Sequence, residues 1–179
     1  GLSTCCGYPT SNVPLRAGKG WLYEGGIREP MIIKWPRVAK PGTVCDLPVI
    51  STDFYPTMLD MADLPLKPDQ HKDGVSLVNL LKNGDLLNRE AIYWHYPHYS
   101  PQGGGMGSAI RQGQYKLIKY YGIDKVGLYD LSIDIREKHD ISQDKPEITQ
   151  KLLKKLNEWL NKTNAKYPSP NPKYTQRIK

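Results

Sequence analysis

Apolar residues recur along this chain with two periods, and the change of period organises it. Met31, Ile32, Ile33 and Trp35 form a short, mostly apolar run closed by Pro36, which predicts a strand buried on both faces. After a Pro-Gly loop, Ser51, Thr52 and Asp53 offer helix caps, and Phe54, Met58, Met61 and Ala62 recur at helical spacing. An amphipathic helix of about three turns is predicted there. Strand followed by helix reads as the tail of a wound α/β layer.

From about residue 65 the pattern changes character. "VSLVNLLKNG" predicts a short helix stopped by Gly84. "AIYWHY", the two halves of "SAIRQGQYKLIKYY" around Gln112-Gly113, and "VGLYDL" then read as consecutive antiparallel strands with no helices between them. Asp144, three residues before Glu147, resembles a capping box. Behind it Ile148, Leu152, Leu153, Leu156, Trp159 and Leu160 make one apolar stripe, with Lys151, Lys154, Lys155 and Lys162 mostly opposite. The helix expected near 147–163 therefore covers one face of the small sheet. Its Pro-rich sequel, "YPSPNPKYTQ", reads as a surface wrap or a disordered tail.

Composition changes this picture little; charge changes it in one place. At 179 residues the chain suffices for one substantial domain, or a small one and part of another. No apolar run approaches the roughly 20 residues of a membrane span, and "GLSTCCGYPTSN" lacks the features of a secretion signal. The chain looks like one that begins partway through a longer protein. Residues 1–144 hold 16 basic and 16 acidic side chains, whereas residues 145–179 hold 9 basic and 2 acidic. The whole net charge of +7 therefore sits in the last helix and tail. Without a nucleic-acid module, a solvated helix face is preferred over a nucleic-acid partner. Cys5 and Cys6 are too close to pair with each other, though one could reach Cys45.

Candidate chemistry concentrates in "PLRAGKGWLYEGGIREP", residues 14–30. Two glycine pairs within nine residues imply a close approach, by another backbone or by a ligand. Lys19, between Gly18 and Gly20, presents a compact ammonium suited to an anionic oxygen; from spacing alone the reading as an ordinary exposed loop lysine is preferred. Glu24, Arg28 and Glu29 read as structural, pairing with one another or capping the Gly25-Gly26 turn. "YWHYPHY" brings His95 and His98 together with aromatics ahead of the Gly-rich "SPQGGGMGS", a composition suited to sugar contact or to a packed strand end. Asp53, Asp60 and Asp63 are helix-spaced, and Asp53 is a natural cap. No nucleophile with a partnered base emerges.

The blocks "PTSNVPLRAGKGWLYEGGIREPMIIKWP", "GTVCDLPVISTDFYPTMLDMADLP", "DGVSLVNLL", "YWHYPHY", "SAIRQGQYKLI" and "LYDLSIDIREKHDIS" together resemble the C-terminal portion of type I sulfatases, the arylsulfatase family of the alkaline-phosphatase-like superfamily. The resemblance covers residues 1 to about 165. It implies an α/β fold in which residues 1–65 close the edge of the main sheet. Residues 66–165 then form a small antiparallel sheet packed with a C-terminal helix, and residues 166–179 a basic tail. It further implies that Lys19 reaches a substrate sulfate and that His95 and His98 border the substrate. Ala17 stands where a glycine is commoner.

In that family the nucleophile is a formylglycine made from Cys/Ser-x-Pro-x-Arg, and calcium is held by an upstream Asp-Asn-Gly stretch. Neither motif occurs here, so the resemblance implies calcium and formylglycine in the full-length enzyme and no metal ligand in this chain. Hydrated formylglycine would attack sulfur while calcium and cationic side chains hold the sulfate oxygens. The implied partners are the missing N-terminal catalytic portion and a sulfated small molecule or glycan; a periplasmic or secreted location follows by resemblance alone. Two other functions stay open: a non-catalytic module binding anionic glycans, and a phosphoester or phosphonate hydrolase of the same superfamily.

Overall fold

The computed structural model describes residues 11–84, 87–99, 101–169 and 171; Cys5, Cys6 and the end of the basic tail lie outside them. Two compact units result, one joining the chain up to Glu29 with Ala91 onward, the other spanning Pro30–Glu90. This grouping differs from the sequence division at residue 65, because the segment before Pro30 packs with strands that follow Ala91.

In the first unit, four strands form a meander in the order β1 (Ile92–Tyr96), β2 (Gly107–Gln112), β3 (Tyr115–Tyr120) and β4 (Lys125–Asp130). All pairs are antiparallel. The β2–β3 turn falls at the expected Gln112-Gly113, with Gly113 at φ +58° and Gln112 opposite Tyr115. Alternation sends Ile110, Leu117 and Leu128 to one face and Ala109, Ile118 and Tyr129 to the other.

Helix α4 (Pro146–Lys162) covers the first face with Leu152, Leu156 and Leu160. Each fully buried leucine contributes about 1.5–3 kcal/mol. Tyr93 stacks on Trp159, with ring centroids 4.9 Å apart. The expected capping box does not form: Lys145 occupies the N-cap position without a side-chain cap, and Pro146 follows it. Proline tolerates the first helical turn because no backbone donor is needed there.

The opposite face is covered by the glycine-rich segment singled out above. Trp21, Leu22 and Tyr23 pack against Ala109, Ile118, Tyr129 and Leu131, and a short helix α1 (Glu24–Ile27) follows. Behind these side chains Tyr23 and Tyr120 place their hydroxyls 2.7 Å apart.

The second unit holds α2 (Phe54–Met61), entered through a tight turn at Ser51–Asp53, and α3 (Val78–Asn83). Asp53 takes the N-cap position of α2 but makes no side-chain cap bond to it; its carboxylate accepts the Ile50 N–H upstream at 2.9 Å instead. It is also fully buried, accepts the Val75 N–H at 3.0 Å, and pairs with Arg89 at 2.6 Å. Gly84 ends α3 at φ +75°.

Two expectations are corrected in this unit. Residues 31–35 form no strand, and Ile32 is 95% exposed. An apolar run becomes a strand only where another strand supplies its hydrogen bonds, and none of the described residues does so. Helix α2 is also shorter than the three turns expected. It buries Pro56 and Thr57, while the apolar Phe54 and Met58 are 42% and 63% exposed. The stripe exists, but it is not what this unit packs upon.

Candidate functional site

The loop carrying Lys19 is fixed at both ends by bonds the chain makes to itself. The Gly25 N–H donates to the Arg16 carbonyl at 2.9 Å, and the Trp21 N–H to the Gly18 carbonyl at 3.1 Å. The Asn12 side-chain amide donates to the Ala17 and Gly25 carbonyls at 3.2 and 3.0 Å. The close approach announced by the glycines is therefore backbone against backbone. A Cβ at Gly26 would lie 2.1 Å from the Trp21 carbonyl oxygen. A Cβ at Gly104, in the "GGG" loop after β1, would lie 1.5 Å from the Gly20 carbonyl oxygen. Neither position admits a side chain without moving main chain. The Trp21 indole N–H donates to the Gln102 carbonyl at 3.2 Å, seating the second loop on the first.

At the tip of this arrangement Lys19 is exposed, and no hydrogen bond or ion pair is recorded for it among the described residues. Gly18 beside it is buried. Ala17 takes φ +60°, a conformation that a glycine would adopt more easily.

Beneath the loop lies a cluster of charges that the sequence reading did not find. Lys116, on β3, is fully buried, with its Nζ 3.0 Å from Glu24 Oε1 and 2.9 Å from Glu137 Oε1. Arg111 and Arg28 stand 3.6 and 3.7 Å from the other oxygen of Glu24, so Glu24 and Arg28 pair as expected. The second oxygen of Glu137 accepts the Glu24 N–H at 2.6 Å, and the Glu137 carbonyl accepts a hydrogen bond from Arg16. Arg16 also lies over the Tyr23 ring, 3.8 Å from its centroid. Glu137 adopts φ +51°. Burial pushes its carboxyl above the usual carboxylate range, against the pull of the Lys116 ammonium. A lysine among apolar strand residues ordinarily reads as a solvent-facing position; the only sequence signal was its place on the same face as Ile118.

The two histidines part company. His95 lies on the α4 face, opposite the face that Trp21 and Tyr23 cover. Its Nδ1 is 2.8 Å from the Ser108 hydroxyl and 3.3 Å from that of Tyr121, and its Nε2 is 3.0 Å from the Lys166 carbonyl. Both ring nitrogens are thus engaged, and Tyr167 packs edge-on against the ring. His98 is exposed, edge-on to Tyr96, on the stretch that leads into the loop touching Gly20 and Trp21. Cys45 is free and exposed.

The described residues do not fit calcium. No three His, Cys, Asp or Glu side chains among them converge, and the two carboxylates brought together beneath the loop, Glu24 and Glu137, already share the Lys116 ammonium. Among the described residues, no helix is long and apolar enough to cross a membrane.

Comparison with known proteins places this geometry. The chain is 34% identical over 172 residues to a sulfatase of Formosa agariphila, covering 88% of this chain and 31% of that protein. It is 33% identical over 159 residues to the N-acetylglucosamine-6-O-sulfatase of Bacteroides thetaiotaomicron, covering 86% and 28%. The solved structure of Ps i-CgsB in complex with k-i-k-neocarrahexaose superposes with a TM-score of 0.71 at 30% identity, covering 83% of this chain and 32% of that one. The chain thus spans about a third of the length of these relatives. Its small antiparallel sheet and C-terminal helix correspond to the C-terminal portion of sulfatases of the alkaline-phosphatase-like fold. The family described as "N-sulphoglucosamine sulphohydrolase, C-terminal" matches residues 17–166, and the chain belongs to that family.

Proposed function

We propose that the full-length protein carrying this chain is a sulfuric ester hydrolase acting on sulfated carbohydrates, with aryl sulfates as simpler substrates, and that Lys19 contacts the sulfate being removed. One observation carries the reading: Lys19 is exposed, with no hydrogen bond or ion pair among the described residues, on a loop that its own backbone and the Asn12 amide hold in place. A cation fixed in advance beside oxygens that gain charge needs no reorganisation when they do. His98 supplies a polar contact at the border of the site, whereas the ring nitrogens of His95 are already occupied.

Amino-sugar sulfates are the favoured substrate class, since one relative is an N-acetylglucosamine-6-O-sulfatase and a related structure contains D-glucosamine-2-N,6-O-disulfate. Calcium and the formylglycine nucleophile belong, on this reading, to residues outside the chain, and the full-length protein is periplasmic or secreted. The relatives reported above are sulfatases, which favours this reading over the glycan-binding module and the phosphoester hydrolase.

The test is sulfate release from N-acetylglucosamine 6-sulfate and from 4-nitrophenyl sulfate by the purified full-length protein. Lys19→Ala is expected to lower kcat by about 10²–10³ while leaving the unfolding midpoint nearly unchanged, as surface substitutions do. The 179-residue chain alone is expected to release no sulfate. Near-normal kcat in Lys19→Ala would return Lys19 to an ordinary loop residue.

A further inference from the structure

Glu137 holds the Lys19 loop from both sides. In sequence Lys19 lies between Arg16 and Glu24, and Glu137 touches both: its main-chain carbonyl accepts from Arg16, and its side-chain carboxylate accepts from the Glu24 main chain. That carboxylate is in turn fixed by Lys116, which grips the Glu24 side chain with the same ammonium. The result is a closed ring of contacts running from one flank of the loop, through Glu137 in the segment that follows β4, into the middle of the sheet, and back to the other flank. Glu137 keeps this position despite a backbone conformation that residues other than glycine seldom adopt, at φ +51°. Such conformations persist where the surroundings over-determine them, and they cluster at functional sites.

We propose that Glu137, with Lys116, is a positioning residue for Lys19: the pair sets the height and direction of the loop from which the lysine addresses the sulfate. The inference rests on the reading of Lys19 given above. Neither residue is placed to touch substrate, since both are fully buried. Their effect on turnover passes through the lysine, and this is what an experiment can isolate. A displacement of about 1 Å in a group that contacts the reacting centre can cost on the order of 10²-fold in rate.

The experiment is a double-mutant cycle in the full-length protein, with 4-nitrophenyl sulfate as the probe. Glu137→Gln keeps an oxygen for the Glu24 N–H but gives up the charge that Lys116 holds; a drop in kcat of about tenfold or more is expected, larger than any change in KM. In the Lys19→Ala background the same substitution is expected to change kcat less than about twofold, because interacting residues give non-additive effects. Additive losses in the two backgrounds would overturn the proposal.

Arg16→Met supplies a second arm should Glu137→Gln fold poorly. It removes the Arg16 hydrogen bond at an exposed position and keeps an apolar stem over Tyr23. Its kcat loss is likewise expected to vanish in the Lys19→Ala background. Amide hydrogen exchange supplies a readout independent of turnover. Glu137→Gln is expected to speed exchange at residues 18–25 and leave β2 and β3 protected. Equal loosening of strands and loop would make the cluster a general stabiliser and refute the positioning role. If Lys19→Ala alone leaves turnover intact, the functional reading of Lys19 has failed instead, and exchange still reports whether Glu137 holds the loop.

Discussion

Replacing Lys116 by methionine is the sharpest perturbation of this structure, since it keeps an unbranched stem of nearly the same length and removes the charged ammonium. Lys116 is fully buried between two carboxylates at 3.0 and 2.9 Å. The loss is unequal for the two. Glu24 keeps Arg111 and Arg28 within 3.6 and 3.7 Å, whereas among the described residues Lys116 is the one cation paired with the Glu137 carboxylate. The cost is therefore set by one carboxylate left buried without a counter-charge. Removing one partner of a buried pair typically destabilises by about 3–5 kcal/mol. Methionine retains the packing of the lysine stem, which places the expectation near 3 kcal/mol. That is on the order of a hundredfold in the local opening equilibrium, at about 1.4 kcal/mol per decade. Adding Glu137→Gln should recover about 1–2 kcal/mol, because the second change removes the stranded charge yet keeps an acceptor for the Glu24 N–H. Native-state amide exchange of β3 reads this sheet selectively within the full-length protein. A single-variant cost below about 1 kcal/mol, or a double variant no more stable than the single, would refute the reasoning.

Two further predictions concern local energetics. Ala17→Gly should raise stability by up to about 1 kcal/mol in thermal unfolding, by relieving the left-handed conformation at φ +60°, although added chain entropy in the unfolded state offsets part of the gain; a lower unfolding temperature would contradict it. The Ser132 hydroxyl and the Ser132 backbone N–H both donate to the Asp130 carboxyl and hold it below the usual carboxylate range. Its folded pKa thus lies below its unfolded one. The resulting stabilisation is complete above the ordinary carboxylate range and is lost as pH falls through the folded value. Ser132→Ala should therefore reduce stability near neutrality and flatten its decline toward acid, as measured by unfolding across pH; an unchanged acid limb would count against this.

The strands and α4 were legible because their side-chain periods are local properties of the chain, and each found the partner its pattern required. The run at 31–35 shows the limit of that reading. Its composition is that of a strand, but pairing is not a local property, and Ile32 is almost wholly exposed. Helix α2 repeats the lesson, since a stripe announces an apolar face without saying what covers it. At the site, Lys19 stood out by its glycines, and resemblance alone supplied its role. Lys116 and Glu137 gave no comparable sign. Each is an ordinary charged residue until three segments distant in sequence converge, and no spacing rule connects positions 24, 116 and 137.

That convergence sets a timetable for synthesis. Glu24 leaves the ribosome 92 residues ahead of Lys116 and 113 ahead of Glu137. At about 5–20 residues per second, the strip bearing Trp21, Leu22 and Tyr23 waits roughly 5–20 s for the sheet that will bury it. During that interval the sheet face that will cover its apolar side chains does not yet exist. Within this chain the loop that presents Lys19 is thus made early and takes shape late, and a nascent chain stalled before Glu137 would carry the lysine without the Glu137 contacts that flank its loop.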